Sequence, residues 1–570
     1  MASDNEMELI KKSQNEWEKD HLEKDLAKSP PRSDHFTLSS GTPIKPLYSP
    51  VDLENQKYVN DVSFPGEFPY TRGLYPNGYR SQLWNIQQVS GYGLAEDTNN
   101  RLKKLRSEGQ SGFYGRDVIN VVFDVPTHYG IDADAPEAQG EVGRLGVALN
   151  SLDDMEQMLD GFHPEKTFIS FIINHPAIII LSMYIAHAEK VGVNQKVLSG
   201  VMQNDPLATF TCSKSYLFPP AASLKLVSDI FSYSIKYLPR WNLNGIGGYH
   251  YRESGGTAVQ EIAFAVANAM AYVEAGLRVG LDVDDFVPRF SFFFSVHNNL
   301  FEEVAKLRAA RRFWARVLKE KYKSKNPRSQ MMRFHVQTAG STLTAQQPVN
   351  NIIRITIQAL AAILGGVQGL HTNSWDEALA LPSEESVKLA LRTQQIVAHE
   401  SGVTETVDPM GGSYYLEYLT DEIEAQVEDY LKRIAAFGDN MYDAVIAGLE
   451  KGFFHKEIAN AAYKYQQEIE NGSRAVIGLN RFAEKERLSV SIFKADPTAR
   501  DRQSARLKAL RNKRNNTALT SSLKQLFEAA KRDENLFPFV LDAVKHYGTL
   551  GEIIKVLTEV YGEYKDLAII

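Results

Sequence analysis

A single cysteine, Cys212, in a chain of 570 residues excludes an intrachain disulfide, a cysteine-rich zinc site and a protein-held iron–sulfur cluster. A reducing compartment is the expected home, hence a cytoplasmic location. Basic excess is missing too. The 63 Lys and Arg stand against 70 Asp and Glu, and a net charge of -7 argues against nucleic-acid binding, which needs a basic face to replace phosphate counterions. No apolar run reaches the roughly 20 residues of a membrane span. The most apolar stretch, Ala177-Ile-Ile-Ile-Leu-Ser-Met-Tyr-Ile-Ala-His187, is interrupted by polar groups and reads as a buried helix. The start, Met1-Ala-Ser-Asp-Asn-Glu6, lacks the apolar core of a secretory signal. Also absent are a Gly-x-x-x-x-Gly-Lys-Ser/Thr loop, a Gly-x-Ser-x-Gly elbow and a His-Glu-x-x-His helix, which counts against ATP-driven phosphoryl transfer, serine hydrolysis and zinc hydrolysis.

What is present is alternation. Short β-branched or aromatic runs recur at Ile119 to Thr127, Thr167 to Asn174, Ser199 to Asp205, Asn244 to His250, Arg289 to Ser295, Arg333 to Ala339, Val367 to Asn373 and Ala475 to Asn480. Helical patterns such as Ala258 to Ala275 and Ser383 to Ala398 separate them. Eight such units predict an α/β fold, a (β/α)8 TIM barrel, with a doubly wound open sheet as the alternative. An N-terminal helical arm and linker is expected over 1–63, the barrel over 64–482 and a C-terminal helical extension over 483–570. The last contains a basic, helix-prone run from Arg500 to Arg514, either a solvated face or a docking site for an acidic partner.

Several predicted strands end in polar residues: Asp124 and His128, Asn174, Gln203 and Asp205, His250, Gln337, and His371 with Asn373. The active site of such a barrel lies at that face. The turn Gly247-Gly248-Tyr249-His250 lets His250 donate a hydrogen bond to a substrate oxygen, although a lone histidine there also reads as a cap. Glu377 opens a helix, where a carboxylate also complements the helix dipole. The runs Gly245-Ile-Gly-Gly248 and Arg289-Phe-Ser291 are small or polar where a packed barrel wants Val, Ile or Leu. They suggest a barrel opened along its axis for a ligand.

At these residues the chain resembles the large, substrate-binding subunit of the adenosylcobalamin-dependent acyl-CoA mutases of the methylmalonyl-CoA and isobutyryl-CoA mutase type. The resemblance is carried by Phe68-Pro-Tyr-Thr-Arg-Gly-Leu-Tyr-Pro76, Phe123-Asp-Val-Pro-Thr-His128, Gly247-Gly-Tyr-His250, Pro288-Arg-Phe-Ser-Phe-Phe293 and Glu303-Val-Ala-Lys-Leu-Arg-Ala-Ala-Arg311. It continues through Gln337-Thr-Ala-Gly-Ser-Thr-Leu-Thr-Ala-Gln346, Leu370-His-Thr-Asn-Ser-Trp-Asp-Glu-Ala378 and Asp408-Pro-Met-Gly-Gly-Ser-Tyr-Tyr415, covering about 64–482. It implies an isomerase that moves a thioester group between adjacent carbons by radical chemistry, with the coenzyme performing the hard step. It places His250 and Gln203 near the thioester carbonyl as the catalytic pair. Tyr249, Glu253, Gln337, Asn373 and Glu377 would surround adenosylcobalamin, Arg289, Ser291 and Tyr75 would contact CoA, and His128 would close the substrate site.

The departures narrow the reading. The family's cobalt-binding motif, Asp-x-His-x-x-Gly, is absent, because none of the 13 histidines has Asp two places before it. The expectation is a separate small cobalamin-binding subunit carrying that motif, a heterotetramer, and a GTPase chaperone as a further candidate partner. Methylmalonyl-type enzymes carry Arg and Tyr where this chain has Ser213 and Val89, and isobutyryl-type enzymes carry Gln and Phe. Ser213 cannot pair with a free carboxylate, so an uncharged branched acyl chain of isobutyryl or pivalyl type is expected. Enzymes for 2-hydroxyisobutyryl-CoA share an aliphatic residue at Val89 but add Asp where Val122 stands. That substrate is the alternative, with Asp117 a second source of a carboxylate, and a non-catalytic scaffold or an unrelated barrel enzyme lies further off. Arginines expected near the CoA phosphates are Gln82 and Gln87 here. Either Arg72, Arg80, Arg116 or Lys214 replaces them, or CoA is held more weakly.

Overall fold

The computed structural model describes residues 4–32, 36–484 and 493–565. Strand β1 lies in two halves, Asn85–Ile86 and Val89–Ser90, followed by β2 (Asp117–Val122), β3 (Thr167–Ile172) and β4 (Ser199–Met202). β5 is again split, into Trp241–Asn242 and Asn244–Gly247, and β6 (Phe290–Val296), β7 (Phe334–Thr338) and β8 (Gly369–His371) complete the series. One parallel ladder runs from the second half of β1 through β2, β3 and β4 to the first part of β5. The other runs from the second part of β5 through β6, β7 and β8 back to the first half of β1. Because β1 and β5 belong to both ladders, the two join into a closed (β/α)8 barrel.

Side chains alternate across each strand, so one set faces the axis and the other the helices. Outward residues such as Val121, Ile169, Met202, Ile246, Phe294, Val336 and Leu370 are fully buried. They pack as two clusters, one around β2 to β4 and one around β5 to β8. The inward set is different. Register places Asn120 beside Ser170 and Ser170 beside Val201, Gly245 beside Ser291, and His335 beside Gly369. These small and polar residues enclose an axial cavity of 330 Å³ instead of filling it. A glycine also lets the wall close: a Cβ on Gly200 would lie 2.3 Å from the Ile169 carbonyl oxygen and 2.5 Å from the Trp241 ring. Gly200→Ala is expected to cost about 1–3 kcal/mol of stability by overpacking, measured by urea unfolding. An unchanged midpoint would show that the wall yields there.

Seven of the eight expected strands lie in the barrel; the eighth does not. Ala475 to Asn480 forms a turn, in which Asn480 Oδ1 accepts the Val476 N–H at 2.7 Å and its Nδ2 donates to the Ile469 and Arg474 carbonyls. The missing strand is β1. Its sequence Asn85-Ile-Gln-Gln-Val-Ser90 is polar because its inward side chains line the cavity and its ladder breaks at Gln87 and Gln88. Two expected helices stand nearly as read, Ala258–Arg278 behind a Thr257/Gln260 capping box and Glu384–Glu400 behind a Ser383 N-cap.

Among the described residues no single helix is long and apolar enough to cross a membrane, and Ala177–Lys190 is buried. The N-terminal region is helical from Asp4 to Lys28 and largely exposed. Residues 485–492, near the start of the expected C-terminal extension, lie outside the described residues. Beyond them the basic helix Ala499–Lys513 is engaged within the chain: Arg502 and Arg506 pair with Glu96, and Arg511 with Asp132 and Asp134. Helices Asn516–Lys531, Phe537–Lys545 and Leu550–Tyr561 pack onto the cluster around β2 to β4.

Candidate active site

Two polar groups meet at the C-terminal ends of the strands. The first joins β4 to β5. Gln203 follows β4 and is buried, and its amide touches His250 Nε2. His250 lies in the short helix Tyr249–Glu253, which the Gly247-Gly248 turn starts. A Cβ on Gly247 would stand 2.8 Å from the His250 ring and 3.1 Å from the Gln203 amide, so only glycine admits this pair. Burial, and then the nearby charge of His128, push the His250 imidazole down to about 4, which keeps it neutral at pH 7. His128 is likewise lowered to about 4 by burial. It ends the helix Val125–His128, capped by Asp124, whose Oδ1 accepts the Thr127 N–H at 3.0 Å.

The second group is acidic. Glu253 accepts from the Ser341 N–H at 2.7 Å and from the Ser295 hydroxyl at 3.3 Å. Gln337 donates to Asn373 Oδ1 at 2.8 Å, and Asn373 is held by the Thr338 hydroxyl and carbonyl. Burial lifts Glu253 to about 7, against its hydrogen bonds from Ser341 and Ser295. Burial also lifts Glu377 to about 7, helped by the carboxylates of Glu253 and Asp376. A Cβ on Gly340 would lie 3.2 Å from Glu253 Oε2, 3.3 Å from Asn373 Nδ2 and 3.4 Å from Glu377 Oε1, so the three converge on a residue without a side chain. Tyr249 stacks on Phe293 with ring centroids 4.7 Å apart, and Phe293 lines the axial cavity.

The axial cavity runs from Gln203 and Phe293 down to Tyr75, Phe113 and Arg333 at the other end of the barrel. Along it, Asn120 Oδ1, Gln203 Oε1 and His335 Nε2 are buried without a partner among the described residues. Such atoms are costly unless a ligand satisfies them. At the N-terminal mouth the cavity shares Asn85, Phe113, Phe168, Asn242 and Arg333 with a vestibule of 930 Å³. Five guanidinium groups line the vestibule, Arg116, Arg240, Arg289, Arg328 and Arg333, against two carboxylates, Asp284 and Asp285. Asp284 is already occupied by the Ser324 and Ser329 hydroxyls and the Lys325 and Asn326 N–H groups. Arg289 donates to the Ser234 and Leu238 carbonyls, with the Asp285 carboxylate nearby, and Arg333 donates to the carbonyls of Pro288 and Phe290.

The expected site residues thus divide between these places. His128 is near enough to His250 to lower its pKa, and His250 touches Gln203, which lines the inner end of the cavity. Tyr249, Glu253, Gln337, Asn373 and Glu377 gather beside it. Ser291, with its hydroxyl on the Asn244 carbonyl, and the half-exposed Tyr75 line the cavity, and Arg289 lines the vestibule. Val89 pairs with Asn120 in the ladder, and its N–H donates to His371 Nδ1 at 2.9 Å, which makes His371 a structural tie. Val122 shares the inward parity of Asn120, and Gly91 packs directly against its carbonyl.

Ser213, like Val89 and Val122, is not among the residues that line the axial cavity. It is exposed, bonded to Ser215, in a loop that Tyr129 reaches through the Lys214 carbonyl. Asp117 stands at the opposite end of β2, five residues or about 16 Å from Val122, on the outward parity and paired with Arg106. It does not supply a carboxylate beside Val122. Of the four candidates for the missing phosphate contacts, Arg116 reaches the vestibule, Arg72 is bonded to Asp408 and Tyr58, Arg80 is exposed at the end of the turn Gly78–Arg80 and does not line the vestibule, and Lys214 is at the far face. Sequence reading missed the vestibule arginines 240, 328 and 333 and the cavity residues Asn120 and Ser170, whereas the run His335-Val-Gln337 already repeats the polar pattern of the His250 strand end. The only local signal was polar residues at alternate strand positions.

A closed barrel with an open axis, a neutral His/Gln pair at one end and an arginine-lined mouth at the other defines a binding protein or enzyme for a long, anionic-headed ligand. The chain belongs to the methylmalonyl-CoA mutase family, whose model matches residues 37–563. It is 41% identical to the 2-hydroxyisobutanoyl-CoA mutase large subunit of Aquincola tertiaricarbonis over 98% of this chain and 97% of that one. The methylmalonyl-CoA mutase large subunit of Streptomyces virginiae is 39% identical, over 92% of this chain and 70% of its own length. Human mitochondrial methylmalonyl-CoA mutase is 38% identical, over 92% and 68%.

Proposed function

We propose that this chain is the acyl-CoA-binding large subunit of a coenzyme B12-dependent mutase acting on a short, branched acyl thioester without a free carboxylate. The chain is an isomerase of the acyl-CoA mutase type. The observation that carries the substrate class is the axial cavity, continuous from an arginine-lined vestibule to the Gln203/His250 pair. Arg116, Arg240, Arg289, Arg328 and Arg333 hold the nucleotide phosphates, a role that suits forked guanidinium donors. The unpartnered atoms of Asn120 and His335 receive the amides of the pantetheine arm. Gln203 and neutral His250 present uncharged N–H donors to the thioester carbonyl, polarising it without delivering a strong acid.

The coenzyme fits the second polar group on its donor chemistry: the carboxylates of Glu253 and Glu377 and the amides of Gln337 and Asn373 suit the hydroxyls of an adenosyl ribose. When bound, it supplies the deoxyadenosyl radical that takes hydrogen from the acyl chain. Tyr249, stacked on Phe293, closes the cavity wall between this group and the thioester end and keeps water from the reacting carbon. The similarity to a relative named a large subunit, over 97% of that relative, supports a reading in which a separate small subunit seated on the C-terminal face holds the cobalamin.

Two kinds of acyl chain fit the class, hydroxyacyl and alkyl. The 2-hydroxyisobutanoyl-CoA mutase similarity favours 2-hydroxyisobutyryl-CoA. The inward, aliphatic Val122 and the distance of Asp117 favour isobutyryl- or pivalyl-CoA. A product assay decides: the chain, a cobalamin-binding subunit and adenosylcobalamin are mixed separately with the four CoA esters isobutyryl, pivalyl, 2-hydroxyisobutyryl and methylmalonyl. Isomerised product from one of the first three supports the reading, and turnover of methylmalonyl-CoA alone refutes it. The vestibule has its own check, by calorimetry on the isolated chain. Arg116→Ala with Arg240→Ala is expected to weaken CoA on the order of 10- to 100-fold, two charge-assisted contacts being lost, and pantetheine hardly at all. Equal loss for both ligands would mean the vestibule does not read phosphate.

A further inference from the structure

We propose that Asp205, which contacts neither end of the cavity, is a positioning residue that holds His250 in register with Gln203. The inference rests on the reading of those two side chains as the thioester-facing pair. Asp205 follows Gln203 by two residues, is completely buried, and has its own N–H tied to Asn174 Oδ1 at 2.9 Å. Its carboxylate reaches across to the β5 end, accepting the Gly247 N–H at 2.7 Å, three residues before His250. The other oxygen accepts the Tyr272 hydroxyl at 2.5 Å, the Ala208 N–H at 3.3 Å and Asn268 Nδ2 at 3.4 Å. Asn268 Nδ2 also lies 2.9 Å from the Tyr251 hydroxyl, one residue after His250. Both flanks of His250 are therefore anchored to one carboxylate, directly at Gly247 and through Asn268 at Tyr251. The same strand end carries Gln203, whose carbonyl accepts the Gly245 N–H at 3.0 Å. A side chain with no place in the cavity thus fixes the geometry of two that have one.

The experiment uses the full chain carrying Asp205→Asn, and separately Tyr272→Phe. Asn keeps the size of the carboxylate but turns a donor toward groups that already donate; Phe removes one donor and leaves the carboxylate in place. Both are expected to lower kcat, on the order of 10- to 100-fold for Asp205→Asn and less for Tyr272→Phe, since a 1 Å misplacement costs about 10²-fold. KM for the acyl-CoA and the affinity for CoA stay unchanged, a split that general loosening of the barrel would not produce. In the isolated chain the His250 ring resonance, assigned by its loss in His250→Ala, is expected to move in both variants. Folded variants with unmoved His250 signals and wild-type kcat overturn the proposal. If Asp205→Asn does not fold, Tyr272→Phe decides by the same readouts. If wild type turns over no acyl-CoA, the functional reading fails, and the His250 resonance alone then decides the positioning role.

Discussion

His250→Ala is expected to lower kcat by about 10² to 10³ in the reconstituted enzyme, the range seen when a carbonyl-stabilising donor is lost, with little change in KM. Its ring is placed by the Gly247-Gly248 turn against Gln203, where no larger residue fits at 247. The pH dependence follows from the same burial. With its pKa lowered to about 4 instead of the ordinary value near 6.5, His250 stays neutral above pH 5 and contributes no limb to the rate profile between pH 6 and 8. An inflection near pH 7 belongs instead to Glu253 and Glu377, each raised to about 7, and deprotonates them as pH rises. It is expected to disappear in Glu253→Gln with Glu377→Gln and to persist in His250→Ala. A full kcat in His250→Ala would remove that residue from the mechanism.

The second large effect concerns the acyl chain. Val122→Asp is expected to raise kcat/KM for 2-hydroxyisobutyryl-CoA relative to isobutyryl- and pivalyl-CoA by 10²-fold or more, on the order found when a site gains a partner for a substrate hydroxyl. The carboxylate would project from the end of β2 with the inward parity of Asn120, two residues beyond the level at which Asn120 pairs with Val89 on β1. A hydroxyl on the substrate then satisfies it, whereas an alkyl chain leaves it desolvated and unpaired. Steady-state kinetics with the three thioesters measures the shift. An unchanged ratio would place the acyl group away from Val122.

Both predictions depend on residues that the sequence exposed to different degrees. His250 stands in a glycine turn after a clear apolar run, and Val122 ends another, so their strands and strand ends were legible locally. β1 was not. Its residues Asn85, Gln87 and Val89 are polar or isolated because one face lines a cavity, and the apolar period that marks a strand is lost. Val476 and Ile477 show the converse: β-branched residues gathered in a turn that an asparagine side chain stitches together. Ser213 matches a pocket position by sequence but is exposed in a loop held by the Tyr129 hydroxyl on the Lys214 carbonyl and by its own bond to Ser215.

Sequence alone determined the βα alternation, the missing cobalt-binding motif, and the polar residues at the strand ends, since periodicity and motif are properties of neighbouring residues. Tertiary structure decided what those residues meet. Closure through the split strands β1 and β5 set the cavity along the axis. It brought Arg116, Arg240, Arg289, Arg328 and Arg333 from separate loops into one vestibule, and it carried the Asp205 carboxylate across to Gly247. These contacts span up to about 200 residues of chain, and no local pattern encodes them, because the distance between two side chains in a barrel depends on strand register and closure and not on their separation in sequence.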